Sequence, residues 1–278
     1  MHYDLHSHST ASDGTLTPDL LVSRAHEQGV DVLALTDHDT TFGLEEARHR
    51  ANELGIKLIN GVEISVSWEK TTVHILGLNL NPDHEELQNG LQKLRDFREW
   101  RAVEIARKLE KAGIKGALEG AKKYAKGVLI SRTHFARYLV EYGKAKTVSD
   151  VFRKYLVPGK PGYVAGQWAS LEEVIGWISI SGGTAVIAHP ARYRMSATKL
   201  RRLMEHFKQL GGQAIEVVSG SHSPNDRYNM AQYARRYELL ASCGSDYHGP
   251  ENPWIEVGKL QPMPESCTPV WSLWDGHV

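Results

Sequence analysis

Hydrophobic and polar positions alternate between strand-like and helical patterns along most of the chain. Short apolar runs bounded by turn residues are typical of buried strands. Seven are predicted, at residues 2–5, 31–36, 56–63, 72–79, 184–188, 214–218 and 239–242. Helical patterns separate most of them, at residues 18–28, 43–54, 196–210 and 224–237. Repeated strand–helix units of this length favour a parallel sheet, either open or closed as a barrel.

The pattern changes between residues 83 and 155, where no strand-like run occurs. Apolar residues recur there at helical spacing, from Leu87 to Leu109, and glycines separate the shorter helical stretches that follow. A loop rich in proline and glycine ends this region. We therefore predict an α/β barrel domain of residues 1–80 and 165–278 with a helical insertion at residues 81–164.

The chain has no formal net charge, but its charges are unevenly distributed. Residues 93–160 contain 18 Lys and Arg against 7 Asp and Glu, so this segment carries +11 and the remainder carries −11. Such a segment indicates an anionic partner, although solvated helix faces can carry similar charge without binding anything. We expect the basic insertion to be the substrate-binding lobe.

Composition excludes several classes of protein. Hydrophobic residues make up 41% of the chain and charged residues 24%, which is ordinary for a globular protein and excludes wholesale disorder. No apolar run approaches the roughly 20 residues of a transmembrane helix, so we expect no membrane partner. Two cysteines are too few for a disulfide framework, and no signal-peptide pattern is present. We expect a cytoplasmic protein, and the sequence indicates no protein partner.

Histidine and acidic residues are concentrated at the predicted strand ends and in the loops that follow. His6 and His8 are two residues apart, so on a strand their side chains point to the same face. Strand ends converge on one rim of a βα barrel, so the whole set should lie together. Six imidazoles and three carboxylates exceed the needs of one ion, which predicts two or three divalent ions, with Mn²⁺, Fe²⁺ or Zn²⁺ compatible. The predicted metal ligands are His6, His8, Asp13, His38, Glu63, His74, His189, Asp246 and His248.

A metal cluster of this kind favours phosphate-ester hydrolysis. One member alone, such as His74, would be explained better as a hydrogen-bonded core histidine, so the hypothesis depends on the whole set. Clustered divalent ions lower the pKa of bound water and stabilise both the attacking and the leaving oxygen of an in-line displacement. We expect a metal-bound hydroxide, bridging the ions, to be the nucleophile, with no side-chain nucleophile.

Candidate substrate-binding residues lie in the insertion and beside the metal ligands. The set is Ser131, Arg132, His134, Arg137, Lys160 and Arg192. Ser131 is a predicted N-cap, where free amide groups favour an anion, and the two arginines that follow it can donate to phosphate oxygens. Candidate stacking surfaces for a base are Phe135, Tyr138, Tyr163 and Trp168. The alternative is a core position for Phe135 and Tyr138 and a surface position for Arg137.

The ligand motifs resemble those of the polymerase and histidinol phosphatase (PHP) superfamily. These motifs are His6-x-His8, Thr36-Asp37-His38, Gly61-Val62-Glu63, His74, Ala188-His189-Pro190 and Ser245-Asp246-x-His248. The resemblance implies a distorted (β/α)₇ barrel with three metal ions. It implies one ion at His6, His8, Glu63 and Asp246, a second at Glu63, His74 and His189, and a third at Asp13, His38 and His248.

The insertion resembles that of one bacterial subgroup of the superfamily. The motifs are Gly116-Ala-Leu-Glu-Gly120, Ser131-Arg132-x-His134-Phe135-Ala136-Arg137, Val151-Phe152-x-Lys154-Tyr155-Leu156 and Gly159-Lys160-x-Gly162-Tyr163-Val164. They are similar to those of 3′,5′-nucleotide bisphosphate phosphatases and of 5′→3′ exoribonucleases of the RNase AM type. The resemblance implies Mn²⁺-dependent hydrolysis at the 5′ end of a bisphosphonucleotide or a short RNA. The alternatives are a phosphatase of another metabolite, such as histidinol phosphate, and a non-catalytic nucleic-acid-binding module.

Overall fold

Seven strands form one sheet whose order follows the chain. The structure is a computed structural model and describes residues 1–127 and 129–274. Between the two edge strands, the Leu5 amide donates to the Cys243 carbonyl at 2.9 Å, and Ser7 pairs with Tyr247 in a parallel bridge. The sheet is therefore a nearly closed barrel, and the predicted distorted (β/α)₇ fold is confirmed. The strands are β1 (Tyr3–Asp4), β2 (Val32–Leu35), β3 (Lys57–Trp68), β4 (Thr71–Leu78), β5 (Thr184–Ile187), β6 (Ala214–Ser219) and β7 (Leu240–Gly244).

Strand direction departs from an all-parallel sheet at β4. This strand is antiparallel to both of its neighbours, whereas the pairs within β1–β3 and within β5–β7 are parallel. The turn before β4 consists of Glu69 and Lys70, both with positive φ (42° and 61°), as tight hairpin turns require. Two residues cannot form the crossover that parallel pairing needs. The hairpin also extends β3 well beyond its predicted end at residue 63, so Glu63 lies within a strand.

Nine α-helices lie in the described part of the chain. Several begin at serine N-caps whose hydroxyl accepts a backbone amide, as at Ser131, Ser170 and Ser223. None of the described helices combines the length and the apolar character needed to cross a membrane. The helices are α1 (Pro18–Glu27), α2 (Leu44–Leu54), α3 (Glu85–Lys111), α4 (Ala117–Lys122), α5 (Arg132–Glu141), α6 (Val148–Val151), α7 (Leu171–Ile180), α8 (Ala197–Gln209) and α9 (Pro224–Arg236). Shorter turns of other helix types are Phe152–Leu156, Pro190–Tyr193 and Val270–Leu273.

The long helix α3 contributes to two separate hydrophobic clusters. Its first half packs through Leu87 and Leu91 into the cluster that contains the inner residues of β3, β4 and α7. Its second half packs through Ile105 and Leu109 against α4 and α5, in a cluster centred on the fully buried Phe135. Because α3 belongs to both clusters, it connects the helices of residues 117–156 to the barrel. The division of the chain at residues 81 and 164 stays a prediction.

Candidate metal centre and its cavity

The structure brings all nine predicted metal ligands together. Eight of them form three groups, and within each group the ligand atoms all lie within 4.8 Å of one another. The groups are His6, His8, Glu63 and Asp246; His38, Glu63 and His74; and His8, Asp13, His38 and His248. The first group is the one that the PHP resemblance implies for one ion. The second group differs from the implied one in containing His38 in place of His189, and the third differs in containing His8 as well. His189 lies close to the second group, with its Nε2 3.0 Å from Oε1 of Glu63.

Glu63 lies at the centre of this cluster. Its Oε1 is 2.8 Å from Nδ1 of His74 and also close to His189. Its Oε2 is 2.9 Å from Nδ1 of His38 and 3.3 Å from Nε2 of His8. The side chain has no exposed surface. Because its two oxygens face different imidazoles and Glu63 belongs to two of the groups, this carboxylate would help to hold more than one ion.

Local backbone conformation brings these side chains to the same place. The hydroxyl of Ser7, between His6 and His8, donates to the Ala34 carbonyl at 2.8 Å and fixes the loop after β1 against β2. His189 and Asp246 have positive φ angles of 29° and 57° in the turns after β5 and β7. Non-glycine residues adopt this conformation rarely, and it is concentrated at functional sites.

The cluster concentrates negative charge in a buried place. Burial acts to raise the pKa values of Asp13, Glu63 and Asp246, but the surrounding imidazoles outweigh it and lower each pKa well below its ordinary value. Burial acts to lower the pKa of His6, but the carboxylates of Glu216, Glu63 and Asp246 raise it well above its ordinary value. The carboxylates are therefore ionised, and their field favours bound cations.

The donor set fits divalent metal ions. Imidazole nitrogens and carboxylate oxygens without thiolate suit Mn²⁺, Fe²⁺ and Zn²⁺. Within the described residues, Oδ1 of Asp13, Oε2 of Glu63 and Nδ1 of His38 are buried and make no hydrogen bond of acceptable geometry, although the last two atoms lie 2.9 Å apart. A buried polar atom without a partner destabilises the fold, and coordination to a cation would satisfy all three.

Glu216 is a buried carboxylate of the site that sequence analysis missed. Its Oε1 accepts a hydrogen bond from Nδ1 of His6 at 2.8 Å, and its Oε2 accepts one from the His189 amide at 2.5 Å. Fixing the proton on Nδ1 leaves Nε2 of His6 free to face Glu63 and Asp246. One signal for it was available, since Glu216 is the acidic residue in an otherwise apolar strand.

A cavity of about 320 Å³ opens beside the cluster. Metal ligands form one wall, and the other is formed by α3 and by the start of α5. Ser131 and Thr133 join the two walls, because both hydroxyls donate to Oδ2 of Asp13, at 3.2 and 3.0 Å. Trp168 also lines the cavity, with the guanidinium groups of Arg98 and Arg101 over its ring at 4.9 and 5.2 Å.

Three of the six predicted substrate-binding residues line this cavity. They are Ser131, Arg132 and Arg192. The guanidinium group of Arg192 donates to Oδ2 of Asp246, and half of its side-chain surface stays exposed. Arg132 lies against the Phe152 ring and has no ion-pair partner among the described residues.

The other three predicted residues lie outside the cavity. His134 is buried, and its Nδ1 accepts the Ser131 amide at 3.1 Å, so it stabilises the start of α5. Burial lowers the pKa of His134 to about 4, which keeps this cap neutral. Lys160 is exposed in the loop before residue 165, and Arg137 lines a different cavity.

The predicted stacking aromatics also separate into different environments. Phe135 is fully buried in the hydrophobic core, so it offers no face to a base. Tyr138 packs against the same core, and its hydroxyl donates to the Lys115 carbonyl. The core alternative therefore holds for these two residues. Trp168 lines the cavity beside the metal ligands, whereas Tyr163 is half-buried outside it.

Arg98 and Arg101 are cavity residues that sequence analysis did not identify. Arg98 donates through Nε to Oδ2 of Asp39 at 2.6 Å. Arg101 donates twice to the Val164 carbonyl and has no carboxylate partner in the described part of the chain. Burial and the neighbouring charges of Arg132 and Arg98 lower its pKa to about 9. The available signal was arginine at three-residue spacing on the buried face of α3.

The seven-stranded barrel and its cluster of His, Asp and Glu side chains define a metal-binding barrel protein. Comparison with known proteins identifies the family. Residues 4–219 match the family described as PHP domain. The chain therefore belongs to the PHP family, as its ligand motifs predict.

Similar proteins cover nearly the whole chain. It is 51% identical to a 3′,5′-nucleoside bisphosphate phosphatase of Chromobacterium violaceum, over 99% of this chain and 97% of that protein. It is 50% identical to the 5′-3′ exoribonuclease Rnm of Escherichia coli, over 98% of this chain and 94% of that protein. A solved structure of an amidohydrolase from Chromobacterium violaceum, with bound sulfate and no metal, has a TM-score of 0.95 and 49% identity, and covers 99% of this chain and 96% of that one.

Proposed function

We propose that this protein is a metal-dependent phosphoesterase that removes the 5′-phosphate of 3′,5′-bisphosphonucleotides and releases 5′ mononucleotides from RNA in the 5′→3′ direction. The observation that carries the proposal is the arrangement of the cavity, with a metal-ligand cluster on one wall and arginines on the other. Relatives with each activity share about half of its residues. The two reactions are chemically close, because the 3′ phosphate of a bisphosphonucleotide corresponds to the next internucleotide link in RNA.

The nine-residue cluster would hold the ions, and we propose Mn²⁺ as the metal. When bound, clustered divalent ions lower the pKa of water and neutralise charge on phosphoryl oxygens. Ser131 and Thr133 orient Asp13 through its second oxygen, which leaves Oδ1 directed at His248, 3.2 Å away, and at His38. These hydroxyls couple the start of α5 to the metal-ligand cluster.

The arginines would select the substrate. Arg101 and Arg132 have no carboxylate partner among the described residues, and burial acts to lower the pKa of each. An anion between them would compensate this uncancelled positive charge, and a guanidinium group can donate to two phosphate oxygens at once. We propose that these two residues bind the second phosphate, while Arg192, beside Asp246, contacts the phosphate that is hydrolysed.

Product analysis by mass spectrometry tests the proposal. The protein is incubated with Mn²⁺ and a short RNA that carries a 5′ monophosphate. The expected products are mononucleotides and RNAs shortened from the 5′ end. Loss of one phosphate from an intact chain would identify a terminal phosphatase instead. Untouched RNA with rapid hydrolysis of a bisphosphonucleotide would restrict the function to free nucleotides, and hydrolysis of histidinol phosphate alone would contradict both substrates.

A matched pair of variants separates catalysis from stability. Glu63→Gln should abolish hydrolysis of both substrates, because it removes the charge shared by two ligand groups, while circular dichroism stays native. Glu69→Gln, at the exposed hairpin turn, is the control and should keep full activity. Full activity of Glu63→Gln would overturn the proposal.

Metal analysis of protein purified without added metal tests Mn²⁺. Cell fractionation tests the cytoplasmic location, which stays a prediction.

A further inference from the structure

A second cavity, of about 610 Å³, lies beside the cavity of the metal-ligand cluster (the catalytic cavity). The loop after β1 separates the two, because Asp13 lines the catalytic cavity while Gly14 and Thr15 line the second. Helix α5 reaches both cavities, since Thr133 lines the first and Arg137 the second. Residues four apart lie on the same face of a helix, about 6 Å along its axis. The linings of the two cavities are therefore about one helical turn apart along α5.

The second cavity has positive charge available for a ligand. Lys123, Lys126 and Arg137 line it, and none has a hydrogen-bond or ion-pair partner among the described residues. Its two carboxylates reduce this charge but do not cancel it, because three basic side chains face two acidic ones. Glu141 accepts a hydrogen bond from the Tyr124 hydroxyl at 2.6 Å, and Glu251 accepts one from Thr15 at 2.7 Å. Arg137 is half-buried, so its charge is only partly compensated by solvent.

Two other cavities differ from the second cavity in charge or in position. The one beside Phe42 contains Asp96 and Glu99 with a single arginine. The one between the Pro190–Tyr193 turn and α9 is basic, since Arg194, Arg201 and Arg236 line it with a single carboxylate, Asp226. Arg201 donates to the Thr198 hydroxyl there at 3.1 Å. The cavity beside α9 contains no residue of α5, whereas the Arg137 side shares that helix with the wall of the catalytic cavity.

We propose that the second cavity binds the phosphodiester backbone of single-stranded RNA downstream of the nucleotide being released. This inference rests on the proposed function. The catalytic cavity is at the lower limit of ligand-sized cavities, so an RNA held there by its 5′ end must continue outside it. A basic groove with an aromatic side chain, here Tyr124, is typical of single-strand binding. A free bisphosphonucleotide ends within the catalytic cavity and does not reach Arg137.

The test compares a polymer with a mononucleotide in the same variants. Steady-state kcat/KM is measured with Mn²⁺ for a 5′-phosphorylated RNA decamer and for adenosine 3′,5′-bisphosphate. Lys126→Ala and Arg137→Ala should each lower kcat/KM for the RNA about tenfold, through KM, because each removes a charged contact to phosphate. Both should change the mononucleotide value less than about twofold. Arg137→Lys should restore most of the RNA activity, and Arg201→Ala is the matched control in the other basic cavity.

Each outcome bears on the inference. Equal losses on both substrates would overturn it, because Arg137 would then support the catalytic cavity or the fold. A selective loss in Arg201→Ala would place the RNA in the other cavity. Unchanged RNA activity in Lys126→Ala and Arg137→Ala, with active wild-type protein, would overturn the inference alone. A wild-type protein that hydrolyses the bisphosphonucleotide and leaves RNA intact would refute the polymer substrate itself.

Discussion

Glu216 gives a direct test of how the barrel prepares its metal ligands. In Glu216→Gln one carboxylate oxygen becomes an NH₂ group that faces either the His189 amide or Nδ1 of His6. In the first arrangement the new NH₂ group and the His189 amide, which are both hydrogen-bond donors, face each other. The second moves the proton of His6 to Nε2, which then cannot bind a metal ion. Either arrangement removes one hydrogen bond to a charged group, which contributes about 1.5–3 kcal/mol.

That loss corresponds to about 10- to 100-fold weaker metal binding, because each 1.4 kcal/mol is tenfold, and partners behind metal ligands commonly have effects of this size. Calorimetric titration of metal-free protein with Mn²⁺ measures it, beside kcat. Ser242→Ala is the control, because Ser242 pairs with Glu216 across the strands while its buried hydroxyl has no hydrogen-bond partner among the described residues. Mn²⁺ affinity within twofold of the wild type, in a natively folded Glu216→Gln protein, would refute this role.

Two further predictions concern stability. Burial lowers the pKa of His134 to about 4, so below pH 6.5 the unfolded state binds more protons than the folded state. The free energy of unfolding should therefore decrease by about 3 kcal/mol between pH 6.5 and 4. Chemical denaturation should show a weaker pH dependence of stability in His134→Gln, whose side chain can still accept the Ser131 amide. An identical pH profile in the variant and the wild type would refute the role of His134. Gly90→Ala should destabilise by about 1–3 kcal/mol, because its Cβ would lie 2.6 Å from the Trp177 ring. Gly176→Ala, with open space around it, should instead stabilise by up to about 1 kcal/mol, and equal melting temperatures would contradict the packing argument.

Local sequence patterns carried most of the fold and the metal-ligand set. Residue type and spacing identified the nine ligands, although His6 and His8 follow β1 rather than lie on it. Glu63 and His74 lie within β3 and β4 rather than at strand ends. The departure at β4 was also local in origin. Glu69 and Lys70 form a tight turn, which joins antiparallel strands only, and the average pattern of repeated strand–helix units obscured it.

Tertiary structure decided which charged residues surround the catalytic cavity. Periodicity shows which face of a helix is buried, but it does not show which distant element lies opposite. For that reason Arg98 and Arg101 have the pattern of ordinary helix residues in the sequence. The packing of α3 against Trp168 is what brings both guanidinium groups over that ring. Likewise, Arg137 lies in the same motif as Arg132, but it is five residues further along α5 and lines the second cavity.

The sequence by itself therefore determined the family, the barrel and the chemical character of the metal ligands. These follow from residue type and spacing, which short stretches of chain record. The tertiary structure determined the partners of each charge, including Glu216 behind His6 and Asp39 beside Arg98. Such pairs join residues far apart in the chain, and their geometry depends on how whole elements pack.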